Sequence, residues 1–169
     1  RIALIGLRGA GKSTLGAKLA RDREMPFVEL DREIERVAGA SLSEIFDLYG
    51  QAAYRRYERR ALESVLEHHD RVVIAAGGSI VSDPATYDLL LTACYTIWLT
   101  AAPEEHMNRV VAQSDLRPMA GNDEAMADLR TILAGRAALY AKADAKVDTA
   151  GVSVAASFKR LQKAARAAR

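Results

Sequence analysis

Residues Gly6 to Thr14 read GLRGAGKST, between the apolar run Ile2 to Ile5 and an alternating helical stretch, Leu15 to Leu19. Strand, glycine-rich loop, Lys-Ser and helix form the context that makes G-x-x-x-x-G-K-[ST] a phosphate-binding loop. Gly6, Gly9 and Gly11 allow backbone conformations and approaches that side chains block, so successive amides through Leu7, Arg8 and Ala10 to Thr14 can turn inward on an anion. Lys12 adds a mobile positive charge for the outer phosphates, and Ser13 offers a hydroxyl to magnesium. The helix that follows presents its positive end. The chain is therefore expected to bind a nucleoside triphosphate or a related phosphate compound.

With 169 residues, 50% of them hydrophobic, the chain can build one α/β core but not two ordinary domains. A formal net charge of +2 from 24 basic and 22 acidic side chains does not by itself point to nucleic acid; a small polyanion fits equally. The single cysteine, Cys94, lies in an apolar segment and is expected to be a buried thiol of a reducing compartment. With no apolar run of transmembrane length and no secretory leader, the expected location is cytoplasmic. The first residue, Arg1, directly precedes the first strand, which reads as a trimmed start or as the C-terminal piece of a longer polypeptide.

Further along, Phe27 to Leu30 reads as a second strand ending at Asp31, and Arg32 to Ala38 as a helix stopped by Gly39. Ser41 with Glu44 forms a capping box for a short helix. A longer helix from Gly50 places Tyr54, Tyr57, Ala61, Leu62, Val65 and Leu66 on its apolar face, with Arg55, Arg56, Glu58, Arg59 and Arg60 elsewhere. Those charges are expected to be mostly solvated, except that Arg55, near the helix start, could reach a ligand.

Arg71 to Ala75 is a third strand, apolar from Val72 onward, running into Gly77-Gly78, a second place for close backbone approach. Asp83-Pro84 opens a helix, Tyr95 to Leu99 is strand four, and Pro103 begins a helix to about Gln113. The stretch 114–123, SDLRPMAGND, reads as a lid. A helix from Glu124 to about Ala141, a strand at Lys146 to Asp148 and a helix from Val152 to about Arg166 complete the chain. Five strands separated by helices predict a three-layer α/β domain with a five-stranded parallel sheet and its ligand site beyond the carboxyl ends of the strands.

Taken together, the phosphate loop, Glu29-Leu30-Asp31 with Ile34-Glu35, IFDLYGQAAYRRYE at 45–58, Gly77-Gly78, Arg117-Pro118 and Arg136 followed by Ala-Ala-Leu-Tyr resemble the shikimate kinase family over essentially the whole chain. The resemblance implies a P-loop kinase fold of the nucleoside-monophosphate kinase type with a lid, and a substrate-binding region within 31–60. It implies that Lys12, Asp31 and Arg117 are catalytic, with Asp31 holding or activating the attacking hydroxyl. Arg55 and Arg136 would grip the substrate carboxylate, Gly77 and Gly78 would approach the ring, and Arg109 would lie against adenine. ATP and Mg2+ would be required, with Ser13 and Glu29 near the metal.

Three departures stand out. Glu29 replaces the family's usual aspartate, Ala76 takes the first place of a triple glycine, and Ala52-Ala53 makes the start of the arginine helix smaller. With these, the stretch 106–133 resembles the C-terminal domain of BzdR/BoxR-type benzoate-catabolism regulators of the Xre class. That resemblance implies a domain that senses benzoyl-CoA through the same pocket, with DNA bound by a preceding helix-turn-helix domain and a homodimer left open. The sequence reading prefers this effector domain, with little or no enzymatic activity; the alternative is a shikimate kinase that phosphorylates shikimate with ATP.

Overall fold

A computed structural model describes residues 1–106 and 123–168, without the side chains of 123–126 and 129. The expected lid, with Arg117, and Arg109 lie outside the described residues, save that Asp123 already belongs to a helix.

All five predicted strands form, as β1 (Ile2–Ile5), β2 (Phe27–Glu29), β3 (Val73–Ala75), β4 (Tyr95–Thr100) and β5 (Ala145–Asp148). They make one parallel sheet in the order β2-β3-β1-β4-β5. β1 is central, with Leu4 opposite Ala75 of β3 on one side and Ile97 of β4 on the other. All four of its residues are buried, which is why it reads as an unbroken apolar run rather than an alternating one.

Alternation along the strands separates two cores. Ala3, Ile5 and Ile74 face Leu30, Ile34, Tyr54, Leu62, Val65, Tyr87 and Leu90. Ile2, Leu4, Val73, Ile97 and Leu99 face Leu15, Leu19 and Leu161. The first face is thus covered by α2 (Leu30–Ala38), α4 (Gly50–His68) and α5 (Pro84–Ala93), with Tyr140 from the end of α6 (Asp123–Tyr140). The second is covered by α1 (Lys12–Asp22) and α7 (Val154–Ala165). Cys94 is buried, as expected. Among the described residues no helix is long and apolar enough to cross a membrane.

Between α2 and α4 the predicted capping box is present: the Glu44 amide donates to Ser41 Oγ, and the Ser41 amide donates to Glu44 Oε2. The short helix α3 (Leu42–Glu44) continues as a π-helical turn, Ile45–Tyr49. Only Ile45 of that turn is buried; Phe46, Leu48 and Tyr49 are 40%, 70% and 63% exposed.

Because β1 has β3 on one flank and β4 on the other, the connections leaving its neighbours diverge at its carboxyl end. Such a crevice is where open α/β sheets hold ligands. The loops after β1 and β3 and the start of α2 meet there.

Candidate active site

One cavity of about 490 Å³ opens at this rim. Its walls carry Arg8, Gly9 and Gly11 to Thr14 from the loop after β1, then Glu29 and Asp31 from the β2–α2 junction, and Gly77 and Gly78 after β3. Of the remaining loop positions, Leu7 and Ala10 turn their side chains into the core, leaving only backbone for a ligand. Gly6 is held at φ 141, where a Cβ would collide with the Leu99 carbonyl oxygen of β4. That position therefore tolerates no side chain.

Lys12 lies back along its own loop: its ammonium donates to the carbonyl oxygens of Gly6 at 2.7 Å and Leu7 at 2.9 Å. Loss of surrounding water pulls its pKa down to about 8; nearby Asp31 opposes the shift and Arg8 adds to it. Asp31 opens to the cleft yet is crowded by protein on most sides, and this desolvation raises its carboxyl above the ordinary range. The charges of Lys12 and Arg8 hold it back, so acid and base are electrostatically coupled across one cavity.

The Glu29 carboxylate accepts from Ser13, the main cause of its lowered pKa, and from Arg32 Nε at 2.8 Å. The longer side chain thus folds onto the phosphate loop. Ala76, a second of the three departures, is 2% exposed and packs in the core, so its methyl adds little obstruction to the cavity it borders.

Gly77 sits at the focus of the substrate side. A Cβ there would come within 3.1 Å of Asp31 Oδ1 and 3.6 Å of the Tyr54 hydroxyl. Behind Tyr54 lies Glu58, expected to be a solvated charge but in fact 0% exposed. It accepts from Arg55 at 2.7 Å and from the Tyr54 hydroxyl at 3.2 Å, which compensates its burial. Burial raises the Glu58 carboxyl, and these two hydrogen bonds resist the shift. Spacing carried the signal: Tyr54, Arg55 and Glu58 stand at i, i+1 and i+4 on one helix, so a single carboxylate can serve both partners.

Arg55 and Arg136 do not line the cavity. Arg55 is fixed by Glu58 and lies over the Tyr54 ring, and Arg136 donates to the Gly78 carbonyl at 3.3 Å. Tyr140, one turn further along α6, donates its hydroxyl to the same carbonyl. Two more lining residues went unassigned in the sequence, Leu42 and Phe46; the Phe46 ring stacks on Tyr54 with centroids 4.4 Å apart. His106 was also missed: buried, it donates from Nδ1 to the Arg8 carbonyl at 3.0 Å and latches the loop.

A phosphate loop feeding a triphosphate-sized crevice, with a carboxylate across from its lysine, defines a P-loop phosphotransferase architecture. Comparison with known proteins narrows the class. The shikimate kinase family model matches residues 8–166. A shikimate kinase of Synechococcus sp. (strain RCC307) is 37% identical over 88% of this chain and 75% of its own length. That of Francisella tularensis subsp. holarctica (strain FTNF002-00 / FTA) is 35% identical over 90% of this chain and 87% of its own. Among solved structures, the shikimate kinase of Bacteroides thetaiotaomicron superposes with a TM-score of 0.86 at 31% identity, covering 96% of both chains. The shikimate kinase of Acinetobacter baumannii, solved in complex with shikimate, gives 0.84 at 27% identity over 98% of this chain and 90% of that one. The chain belongs to the shikimate kinase family.

These matches overturn the preferred sequence reading. A benzoyl-CoA-sensing BzdR/BoxR-type regulator domain, with DNA as its distal partner and little activity of its own, is replaced by a kinase family member. The expected benzoyl-CoA effector falls with that reading. Physically, the departures that suggested another use leave the kinase pocket intact: Glu29 still meets Ser13, and the Ala76 side chain packs inward. Most of the stretch that carried the regulator resemblance, 107–122, lies outside the described residues.

Proposed function

We propose that this chain transfers the γ-phosphoryl group of ATP to a ring hydroxyl of shikimate. The observation that carries the proposal is the shared cavity, in which Lys12 and Asp31 face one space beside Gly77. Family membership and the likeness to a kinase crystallised with shikimate supply the substrate.

In the reaction, the phosphate-loop amides and Lys12 hold the β- and γ-phosphates. To engage them, the Lys12 ammonium exchanges the Gly6 and Leu7 carbonyls for phosphate oxygens. Asp31 orients the hydroxyl and takes its proton as the oxygen bonds to the γ-phosphorus. The bond from that phosphorus to the bridging oxygen breaks, and its electron pair leaves with ADP. A raised pKa makes Asp31 a stronger proton acceptor than a fully solvated aspartate.

Arg55 and Arg136, flanking the Gly77-Gly78 turn, are assigned to the substrate carboxylate, which planar guanidinium forks bind bidentately. Arg117 is assigned to the transferring phosphoryl group and Arg109 to adenine by their sequence match alone. For Mg2+, the Ser13 hydroxyl and the Glu29 carboxylate it bonds are convergent hard oxygen donors. Few protein ligands are needed, because this ion is held by one or two carboxylates together with substrate phosphates. Bound with ATP, it supplies charge neutralisation at the phosphates.

The test is a ³¹P NMR time course of the purified chain with ATP, Mg2+ and shikimate. Appearance of a phosphate monoester in step with ADP is expected. ATP consumed with inorganic phosphate as the sole product, or no consumption at all, overturns the proposal.

A further inference from the structure

The outer face of α4 carries a second cavity that the phosphoryl-transfer site does not use. It measures about 240 Å³ and is lined by Tyr49, Ala53, Arg56, Tyr57 and Arg60. These positions follow one another by four, three, one and three residues, so they form one stripe of the helix and its entry turn. Ala53, at its base, is buried together with the neighbouring stripe of Tyr54, Glu58, Ala61, Leu62 and Val65.

Charge distribution sets this stripe apart. Along the same helix Arg55 pairs with Glu58 and Arg59 pairs with Glu63. Arg56 and Arg60 have no carboxylate partner among the described residues, and the carboxylate three residues beyond Arg60, Glu63, is taken by Arg59. At i and i+4 the two guanidiniums stand side by side, an arrangement in which like charges repel along the helix. Two tyrosines flank them. Tyr49 is 63% exposed at the end of the π-helical turn, Tyr57 is half-buried, and the buried Ala53 methyl gives the cavity a small apolar floor. A forked pair of cations between two aromatic faces, with an apolar floor, recognises a flat ring bearing a carboxylate or phosphate. The anion neutralises the arginine pair and the ring packs against tyrosine.

We infer that Arg56, Arg60, Tyr49 and Tyr57 form a binding site for a small anionic ring compound, on the side of α4 away from Glu58. The inference does not depend on the catalytic proposal, because it concerns binding to the nucleotide-free chain.

The probes are benzoate and phenyl phosphate, with inorganic phosphate and benzyl alcohol as controls that lack ring or charge. Binding is followed by ¹H–¹⁵N chemical-shift titration in a Lys12→Ala background, which removes the phosphate-loop lysine from competition. Saturable shifts centred on residues 49–60 are expected for both ring anions. Affinity should drop at least tenfold in R56Q/R60Q, while the same double substitution in the chain with Lys12 leaves ATP affinity unchanged and so reports an intact fold. Equal binding by the double variant, shifts confined to the catalytic cavity, or no saturation by 20-fold excess over millimolar ligand overturns the site (about 10⁻³ M is the weak end of specific affinity). Inorganic phosphate binding as tightly as phenyl phosphate overturns the role of the tyrosines.

Discussion

The two sides of the catalytic cavity are built differently. The phosphate side is one contiguous segment, Gly6 to Thr14, braced by a central strand with every residue buried. The substrate side is gathered from four places: Asp31 at the start of α2, Tyr54, Arg55 and Glu58 on α4, Gly77 after β3 and Arg136 on α6. It also carries the half-exposed ring of Phe46. The contrast teaches that anion capture needs backbone in one conformation, which a local motif can encode. Holding a polyhydroxylated acid needs side chains converging from several directions, which only the tertiary fold supplies.

Substitutions on each side should separate these tasks. Asp31→Asn has the largest expected effect, a loss of roughly 10²–10⁴ in kcat from removal of the proposed proton acceptor. Calorimetry should show ATP affinity nearly unchanged; a comparable loss of ATP binding would mean that Asp31 serves the phosphate side instead. Next comes Lys12→Ala, with kcat/KM falling roughly 10²–10³ as a donor to the transferring phosphates is lost. Here steady-state kinetics should show a raised KM for ATP with little change in KM for shikimate.

Glu58→Ala should cost about 3 kcal/mol in urea unfolding, because it strands the Arg55 guanidinium and leaves the Tyr54 hydroxyl without its acceptor. It should raise the KM for shikimate and spare that for ATP. A shift in both would erase the distinction between the two sides.

A smaller effect concerns pH. Lys12 in the ligand-free chain has a pKa near 8, and phosphate binds its protonated form. Above that pH binding must first take up a proton, so ATP affinity should weaken by up to roughly tenfold per pH unit. Calorimetry at pH 8.5 in buffers of different ionisation enthalpy should register this uptake, which Lys12→Ala should abolish. Smallest of all is Leu48→Ser: at 70% exposure it should change stability by less than about 0.5 kcal/mol. Thermal unfolding checks it, and a larger loss would mean that the π-helical turn is braced by this side chain.

Much of this was legible in the sequence. The strand–loop–helix context, the parallel sheet, the capping box and the meeting of Asp31 with Gly77-Gly78 at one rim follow from local pattern and the crevice rule. Glu58 was misplaced on a solvated face because helical periodicity assigns charges outward. Only the tertiary position of Tyr54 and Arg55 shows that a carboxylate is needed inside. His106 could not be read at all, since its acceptor, the Arg8 carbonyl, lies 98 residues away. The preference for an effector domain came from the resemblance of the stretch 106–133, taken together with a few substitutions judged without their surroundings. At Glu29 and Ala76 the fold absorbs the change locally, one by a hydrogen bond to Ser13 and the other by core packing.

The single tryptophan of the chain, Trp98, stacks on Tyr140 with ring centroids 5.5 Å apart, and the hydroxyl of Tyr140 grips the carbonyl of Gly78. An indole on β4 is thereby wired through one phenol ring to the turn that borders the cavity. The molecule carries an intrinsic optical probe there, with no second indole to dilute its emission, so occupancy can be followed in real time without attaching a dye.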